Sequence, residues 1–247
     1  MAGEGGRRAD RANAGDGVAH PGFRKDVQRD TAPRRLAAGR KPITVAVAHA
    51  KGGVGKTTTT LIVGKYLSRQ YRVELRDYDE SQHLSFLVAE MASDEHSLTR
   101  RLWLRNGEDR RADVVLIDSA PARGPETRRA LTEADCVVIP APPERMALRG
   151  LQQMLDTIDV VRRARVDPNV FLQVLGVVPT MFDVRWPDHR AYLDQMREEC
   201  QERKVPVFPP VPRRHSYLSL STAGQDYRPV AEAISGLLSR ASALTHA

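Results

Sequence analysis

The chain has 247 residues, of which 41% are hydrophobic and 28% charged, so it is long enough for one large α/β domain with a substantial core. No apolar run approaches the ~20 residues that a bilayer-spanning helix needs, and residues 1–8 lack the apolar segment of a secretory signal. The two cysteines, Cys136 and Cys200, have neither a disulfide nor a zinc spacing, which favours a reducing cytoplasm. The net charge of +7 favours polyanionic partners such as DNA, RNA or anionic lipid.

Residues 1–40 differ in composition from the rest of the chain. They contain eight arginines and one lysine against five acidic residues, and they show no persistent apolar periodicity. Such a segment cannot bury enough apolar surface to offset the entropy of ordering it. We therefore predict a disordered basic arm at 1–40 and one folded domain at 41–247. Whether the arm contacts DNA or a partner, or is only a solvated extension, stays open.

From residue 41 onward, short apolar segments alternate with amphipathic ones. The strand candidates are 43–49, 72–77, 114–118, 136–139 and 171–178, and the helical patterns fall at 57–69, 127–134, 148–165, 189–203 and 230–244. This alternation predicts a doubly wound, mostly parallel sheet with helices on both faces. In such sheets, ligands bind at the carboxyl ends of the strands.

The strongest motif is a glycine-rich loop between the first predicted strand and the first predicted helix. Residues 50–58 place Gly55, Lys56 and Thr57 at the fixed positions of a phosphate-binding loop. Its backbone N–H groups and the helix dipole would hold an anion, with Lys56 on the β- and γ-phosphates and Thr57 on Mg²⁺. The predicted nucleotide-binding residues of this loop are Gly52, Gly53, Val54, Gly55, Lys56, Thr57 and Thr58. The sequence thus predicts that a nucleoside triphosphate binds here.

The string Lys-Gly-Gly-Val-Gly-Lys-Thr-Thr at 51–58 resembles the deviant Walker A motif of the ParA/MinD family of ATPases. The likeness extends from about residue 41 to residue 238. In that family the early lysine, here Lys51, reaches across a nucleotide-sandwich dimer to the partner's phosphates. The resemblance therefore implies ATP-dependent homodimerisation, with Lys51 and Lys56 as catalytic residues of an ATPase.

The resemblance also assigns roles to acidic residues downstream. The apolar run ending in Asp118 resembles a Walker B strand, which implies that Asp118 holds Mg²⁺ through a water molecule. Residues 77–82 resemble the family's Asp-x-Asp-Pro-Gln stretch, whose second Asp, here Asp79, orients the attacking water. Asp77 is then a structural neighbour or a group on the Mg²⁺ side. Because Glu80 and Ser81 stand where one proline is usual, a switch that binds ATP without hydrolysing it is an alternative.

The chain lacks the Asn-Lys-x-Asp box that usually recognises guanine, since none of its three asparagines precedes a lysine. We therefore expect ATP rather than GTP. The family places the adenine near the residues that follow the fifth predicted strand and near a later proline-rich segment. The corresponding residues are Met181, Phe182, Pro210 and Pro212.

Three branches of the family have different partners. A MinD-like member ends in a basic amphipathic helix that binds lipid, whereas the apolar face at 230–244 has only Arg240 beside it and is more typical of core packing. A nitrogenase-iron-protein-like member needs two cysteines in each subunit that hold a shared cluster. Here Cys136 lies in a predicted buried strand and Cys200 in a predicted polar helix, so we expect no cluster. Asp79 and Asp118 are separated by 38 residues, as in compact plasmid-partition members. We expect that type, with a membrane-associated positioning ATPase as the alternative; Lys51 argues against a metabolic kinase or ligase.

A ParA-type assignment implies a cytoplasmic, nucleoid-associated protein that binds non-specific DNA and no membrane. It also implies a ParB-like centromere-binding partner that stimulates hydrolysis. Binding to DNA requires cations that lie along its phosphates. One basic run at 100–111 is tempered by Glu108 and Asp109. We favour the C-terminal group as the DNA contacts, because the resemblance implies that the DNA surface lies in that part of the chain. These residues are Arg185, Arg190, Arg203, Lys204, Arg213, Arg214 and Arg228.

Overall fold

The computed structural model describes residues 40–92, 100–108, 110–121, 124–165, 172–214 and 225–243. Of the predicted arm, only residue 40 is among them, so the arm and its boundary stay a prediction. Asp109, residue 171 and Leu244, which belong to other predicted segments, also lie outside the described residues.

Six strands form one parallel sheet in the described part of the chain, in the spatial order β3-β2-β4-β1-β5-β6. The central strands β1, β4 and β5 are almost completely buried, as expected for a parallel sheet covered on both faces. Their high content of Val and Ile favours buried strands at this location. The strands are β1 (Ile43–Val47), β2 (Val73–Tyr78), β3 (Leu102–Leu104), β4 (Val114–Ser119), β5 (Cys136–Ala141) and β6 (Gln173–Pro179).

Helices cover both faces of the sheet and bury two apolar cores. They are α1 (Lys56–Leu67), α2 (His83–Ala92), α3 (Pro125–Glu133), α4 (Arg145–Ala164), α5 (Pro187–Glu202) and α6 (Arg228–Ala243). Leu61 of α1 packs with α2 and α6 on one face, and Leu151 of α4 packs with α3 and α5 on the other. Both α3 and α5 begin at a proline, where the missing N–H costs no helical hydrogen bond.

The predicted fold class is confirmed: the described residues form a doubly wound α/β domain with an all-parallel sheet. All five predicted strands and all five predicted helices are present, with ends shifted by a few residues. The sequence analysis missed β3, which has only three residues, and α2. None of the described helices is long and apolar enough to cross a bilayer.

The parallel topology brings the carboxyl ends of all six described strands to one edge of the sheet. The register pairs Asp118 in β4 with Val47 at the end of β1 and with Asp77 in β2. The segments that follow β1, β5 and β6 reach the same edge. The candidate site is therefore built by residues far apart in the sequence.

Candidate nucleotide-binding site

The loop between β1 and α1 has the backbone conformation that its glycines permit. Gly53 and Gly55 have φ angles of 72° and 90°, a left-handed conformation that strains any residue with a Cβ. Gly55 immediately precedes α1, so the free N–H groups of the first helical turn face the loop. The Thr180 hydroxyl, just after β6, donates a 2.8 Å hydrogen bond to the carbonyl of buried Val54. The loop is thus fixed to the end of β6.

Lys56 lies inside this loop and is only 6% exposed. Its ammonium donates a 3.3 Å hydrogen bond to the Lys51 carbonyl. Burial lowers the pKa of Lys56, while the charges of Asp118 and Asp79 act in the opposite direction. A buried ammonium with one long hydrogen bond is suited to bind the phosphates of a nucleotide.

Asp118 is the other buried charge of the site. It is 1% exposed, and neither carboxylate oxygen has a hydrogen-bond partner of normal geometry among the described residues. Burial raises its pKa to about 7, and nearby Asp77 adds to the increase; Thr57 and Lys56 oppose it. A buried carboxylate whose oxygens lack a well-formed hydrogen bond needs a cation or a proton.

The residues here fit Mg²⁺. Within the described parts of the chain, no three His, Cys, Asp or Glu side chains cluster closely enough to hold a metal by themselves. Mg²⁺ bound with a nucleotide needs no such cage, because phosphates and waters supply most of its ligands. Asp118 and the Thr57 hydroxyl would hold the ion, as the sequence analysis predicts.

Asp77 and Asp79 have different surroundings. Asp77 Oδ2 accepts hydrogen bonds from the Ser85 amide at 2.9 Å and the Ser85 hydroxyl at 2.8 Å, so it anchors the first turn of α2. These bonds favour the structural alternative for Asp77. Asp79 is partly exposed, and its Oδ1 accepts a 3.0 Å bond from the Ser81 amide. Asp79 is near enough to affect the pKa values of both Lys56 and Asp118.

The additional residue after Asp79 is accommodated in a tight turn. The Gln82 amide donates a 2.9 Å hydrogen bond to the Asp79 carbonyl, and Gln82 has a left-handed φ of 51°. Glu80, Ser81 and Gln82 are all exposed. The turn places the extra residue on the surface and leaves the Asp79 carboxylate beside the loop.

Lys51 lies at the rim of the loop, and residues at the start of α4 and just after β1 hold it there. Its ammonium forms an ion pair with Glu144, the residue that precedes α4. Its amide donates a 2.9 Å hydrogen bond to Nδ1 of His49. The sequence analysis missed His49, although a histidine at the end of an apolar strand directly before the loop was a usable signal.

The four residues predicted to contact adenine come together at the end of β6. The Val211 amide donates to the Pro179 carbonyl at 2.7 Å, and the Phe182 amide donates to the Val211 carbonyl at 3.0 Å. These bonds place Met181 and Phe182 alongside Pro210 and Pro212, with a bridge from Phe182 to Pro212. A Cβ on Gly55 would lie 3.8 Å from the Met181 methyl, so this region adjoins the phosphate loop. Contact with adenine itself stays a prediction.

The seven cations predicted to bind DNA are all exposed, but only some have uncompensated charge. Arg190, Lys204 and Arg213 have no ion pair within the described residues. The other four pair with carboxylates: Arg185 with Asp183 at 2.6 Å, Arg203 with Asp156 at 2.9 Å, Arg214 with Asp226 at 3.1 Å and Arg228 with Glu232 at 2.6 Å. The role of all seven in DNA binding stays a prediction.

The chain is similar to proteins named as partition ATPases and to solved structures with the same fold. The chromosome-partitioning ATPase Soj of Thermus thermophilus is 31% identical over 182 residues, which cover 57% of this chain and 70% of Soj. Protein IncC of Escherichia coli is 26% identical over 66% of this chain, and the match spans only 57% of IncC. The ATP complex of McdA from Cyanothece superposes with a TM-score of 0.64 at 21% identity, covering 82% of this chain and 97% of McdA, which supports the fold alone.

The model of the CobQ/CobB/MinD/ParA nucleotide binding domain matches residues 45–226, which include the phosphate loop and both predicted catalytic carboxylate segments. This is most of the described domain. The chain therefore belongs to the CobQ/CobB/MinD/ParA family of nucleotide-binding domains.

Proposed function

We propose that this protein is a ParA-type DNA-partition ATPase. It dimerises on ATP, binds DNA without sequence preference and is released when a ParB-like partner stimulates hydrolysis. The observation that carries this proposal is the arrangement of two lysines in one loop. Lys56 is buried within the loop, whereas Lys51 lies at its rim, 40% exposed, beside α4. The relatives named as partition ATPases support the same function.

Within one protomer, the loop amides and the Lys56 ammonium bind the triphosphate. Asp118 and Thr57 hold Mg²⁺, which neutralises charge on the phosphate oxygens when it is bound. Asp79 orients the attacking water, because its carboxylate is partly exposed at the same strand edge and is fixed by the Ser81 amide. Positioning and electrostatic stabilisation account for most of the catalysis of phosphoryl transfer.

Lys51 acts in trans in this proposal. Its ammonium leaves Glu144 and binds the phosphates of the facing protomer, where it stabilises the charge that develops during transfer. Hydrolysis then depends on dimerisation. A slow, partner-stimulated reaction keeps the dimer on nucleoid DNA in the cytoplasm until the partner arrives. Exposed cations of the C-terminal half supply the DNA contacts.

The test is binding to random-sequence duplex DNA with ATP, with ADP and without nucleotide, at one fixed salt concentration. We expect binding with ATP only, and loss of binding in Lys56→Ala. Lys41→Ala is the matched control, because Lys41 is an exposed lysine that precedes β1 and lies outside the loop. Binding that ignores the nucleotide contradicts the proposal. ATP-dependent binding to anionic vesicles in place of DNA favours the membrane-associated alternative.

A further inference from the structure

His49 connects the phosphate loop to α4. It follows β1, is completely buried and uses both ring nitrogens. Nδ1 is 2.9 Å from the Lys51 amide nitrogen, and Nε2 is 3.1 Å from the Ala147 carbonyl oxygen in the first turn of α4. An amide N–H can only donate and a carbonyl can only accept. The ring is therefore the neutral tautomer with its proton on Nε2.

The surroundings of the ring maintain this state. Burial lowers the pKa of His49 to about 4, and the charges of Lys56 and Lys51 contribute to the decrease. A protonated ring would lose its acceptor and would repel the ammonium groups of both lysines. The ring thus accepts the Lys51 N–H bond throughout the physiological pH range.

Gly150 of α4 provides the space for this ring. A Cβ built on Gly150 would lie 2.5 Å from His49 Cε1, closer than real contacts allow, and 3.3 Å from each ring nitrogen. Because the ring is completely buried and makes two hydrogen bonds, it can move aside only by breaking them. Glycine inside a helix costs about 1 kcal/mol relative to alanine, so a packing reason is expected, and the ring supplies it.

We infer that His49 is a positioning residue that fixes Lys51 relative to α4 and so sets the direction from which its side chain reaches the partner protomer. The lysine is held at two points: its amide is connected to α4 through His49 and Ala147, and its ammonium pairs with Glu144, the residue that precedes α4. The inference rests on the proposed function, because it requires that Lys51 acts across a dimer. ATP binding within one protomer, which uses Lys56 and the loop amides, does not need this connection.

The first arm of the test compares substitutions of His49. His49→Ala removes both hydrogen bonds, His49→Gln retains a donor near Ala147, and His49→Asn retains an acceptor where Nδ1 lies. In His49→Ala and His49→Gln we expect turnover and ATP-dependent dimerisation to fall by about tenfold or more, because small misplacements of a catalytic group are costly. The Kd for ATP stays within about threefold, which also shows that the variants fold. His49→Asn restores most of the turnover, because its side-chain oxygen still accepts the hydrogen bond from the Lys51 amide.

The second arm of the test uses the close contact between Gly150 and the His49 ring. Gly150→Ala displaces the ring and reproduces the loss of turnover, whereas Gly150→Ala combined with His49→Asn recovers it, since asparagine leaves the Cε1 position empty. Gly236→Ala is the matched control, because a Cβ there meets no atom within 4 Å and Gly236 also lies inside a helix. If His49 has a merely structural role, the Kd for ATP should rise together with the loss of turnover in His49→Ala and in Gly150→Ala.

The outcomes separate the two proposals. A wild type that does not dimerise on ATP overturns the proposed function and this inference with it. The inference alone is overturned if the wild type dimerises on ATP but His49→Ala keeps its turnover within about twofold of the wild type. Equal turnover of His49→Asn and His49→Gln, or a fully active Gly150→Ala, contradicts the inference in the same way.

Discussion

The carboxylate of Glu144 pairs with the ammonium of Lys51 and so joins the start of α4 to the rim of the phosphate loop. The two side chains are 46% and 40% exposed, and exposed pairs of this kind contribute at most about 1 kcal/mol. The lysine is therefore held in one place but can be released at a small cost. A partner's triphosphate, with several negative charges, competes well with a single exposed carboxylate.

Glu144→Gln removes this competitor while keeping the size of the side chain. We expect the Kd of the ATP-dependent dimer to fall by about two- to tenfold. The reason is that the exposed ion pair between Lys51 and residue 144, present once in each protomer, no longer needs to break. Analytical ultracentrifugation over a range of protein concentrations measures the change. Asp188→Asn, which neutralises an exposed carboxylate at the start of α5, is the control. Weaker dimerisation of the glutamine variant would show that Glu144 contributes to the dimer contact itself.

Substitution of the two loop lysines has different expected effects. Lys56→Ala loses the buried ammonium and abolishes nucleotide binding, whereas Lys51→Ala binds ATP with unchanged affinity but stays monomeric. Fluorescent-nucleotide titration and ultracentrifugation with ATP distinguish these results. Normal ATP affinity of Lys56→Ala contradicts the assignment of the loop, and an ATP-dependent dimer of Lys51→Ala contradicts the role in trans.

Asp79→Ala removes the group that orients water and leaves the triphosphate ligands in place. We expect ATP to bind normally, turnover to fall by about 100-fold or more, and the ATP-bound dimer to accumulate. Glu80→Ala is the matched control, because Glu80 is a neighbouring carboxylate that is exposed in the turn. If Asp79→Ala retains wild-type turnover, the water is oriented by another residue.

Much of the fold was predictable because the signal is local. The apolar strands and amphipathic helices each show their own periodicity, and the phosphate loop is continuous in sequence. The segments that the sequence analysis missed depend on distant partners. Three residues of β3 have a strand conformation only because they pair with β2, and the start of α2 is anchored by Asp77 from the preceding strand.

The same distinction holds within the candidate site. The lysines, Thr57 and Asp118 stand in recognisable motifs, whereas the contact between His49 and Gly150 joins residues 101 positions apart. No local pattern identifies this pair. Similarly, the sequence shows which arginines are present in the C-terminal half, but their ion pairs depend on how loops and helices fold together.

Those ion pairs lead to a prediction for DNA binding. Arg213 is exposed and has no ion pair among the described residues, whereas Arg228 pairs with Glu232 one helical turn away at 2.6 Å. Arg213→Ala should therefore weaken ATP-dependent DNA binding more than Arg228→Ala does. It should also reduce the slope of log K against log salt by about 0.9 for each DNA phosphate that the variant no longer neutralises. Titrations at four salt concentrations measure both quantities, and equal effects of the two variants would contradict the expected order.

The pH dependence of stability has two opposing contributions at this site. The pKa of Asp118 is about 7 in the folded protein, above its ordinary value of 3.8, so its contribution to stability decreases as the pH rises from about 4 to 7. The pKa of His49 is about 4, below its ordinary value of 6.5, so its contribution decreases as the pH falls from about 6.5 to 4. The two slopes largely cancel in the wild type between pH 4 and 6.5.

Asp118→Asn isolates the first contribution, because asparagine resembles the protonated acid at every pH. The variant without nucleotide should gain stability relative to the wild type by about 1.4 kcal/mol for each pH unit between roughly 4 and 7, and the difference should then level off. Urea unfolding of both proteins at pH 5, 6, 7 and 8 measures it. Glu80→Gln should give a difference that does not change over this range, since Glu80 is exposed. Asp118→Asn should also reduce the effect of Mg²⁺ on ATP binding, because it removes one of the two side chains that would hold the ion. A stability difference that stays constant with pH would show that Asp118 is already ionised in the folded protein at pH 5.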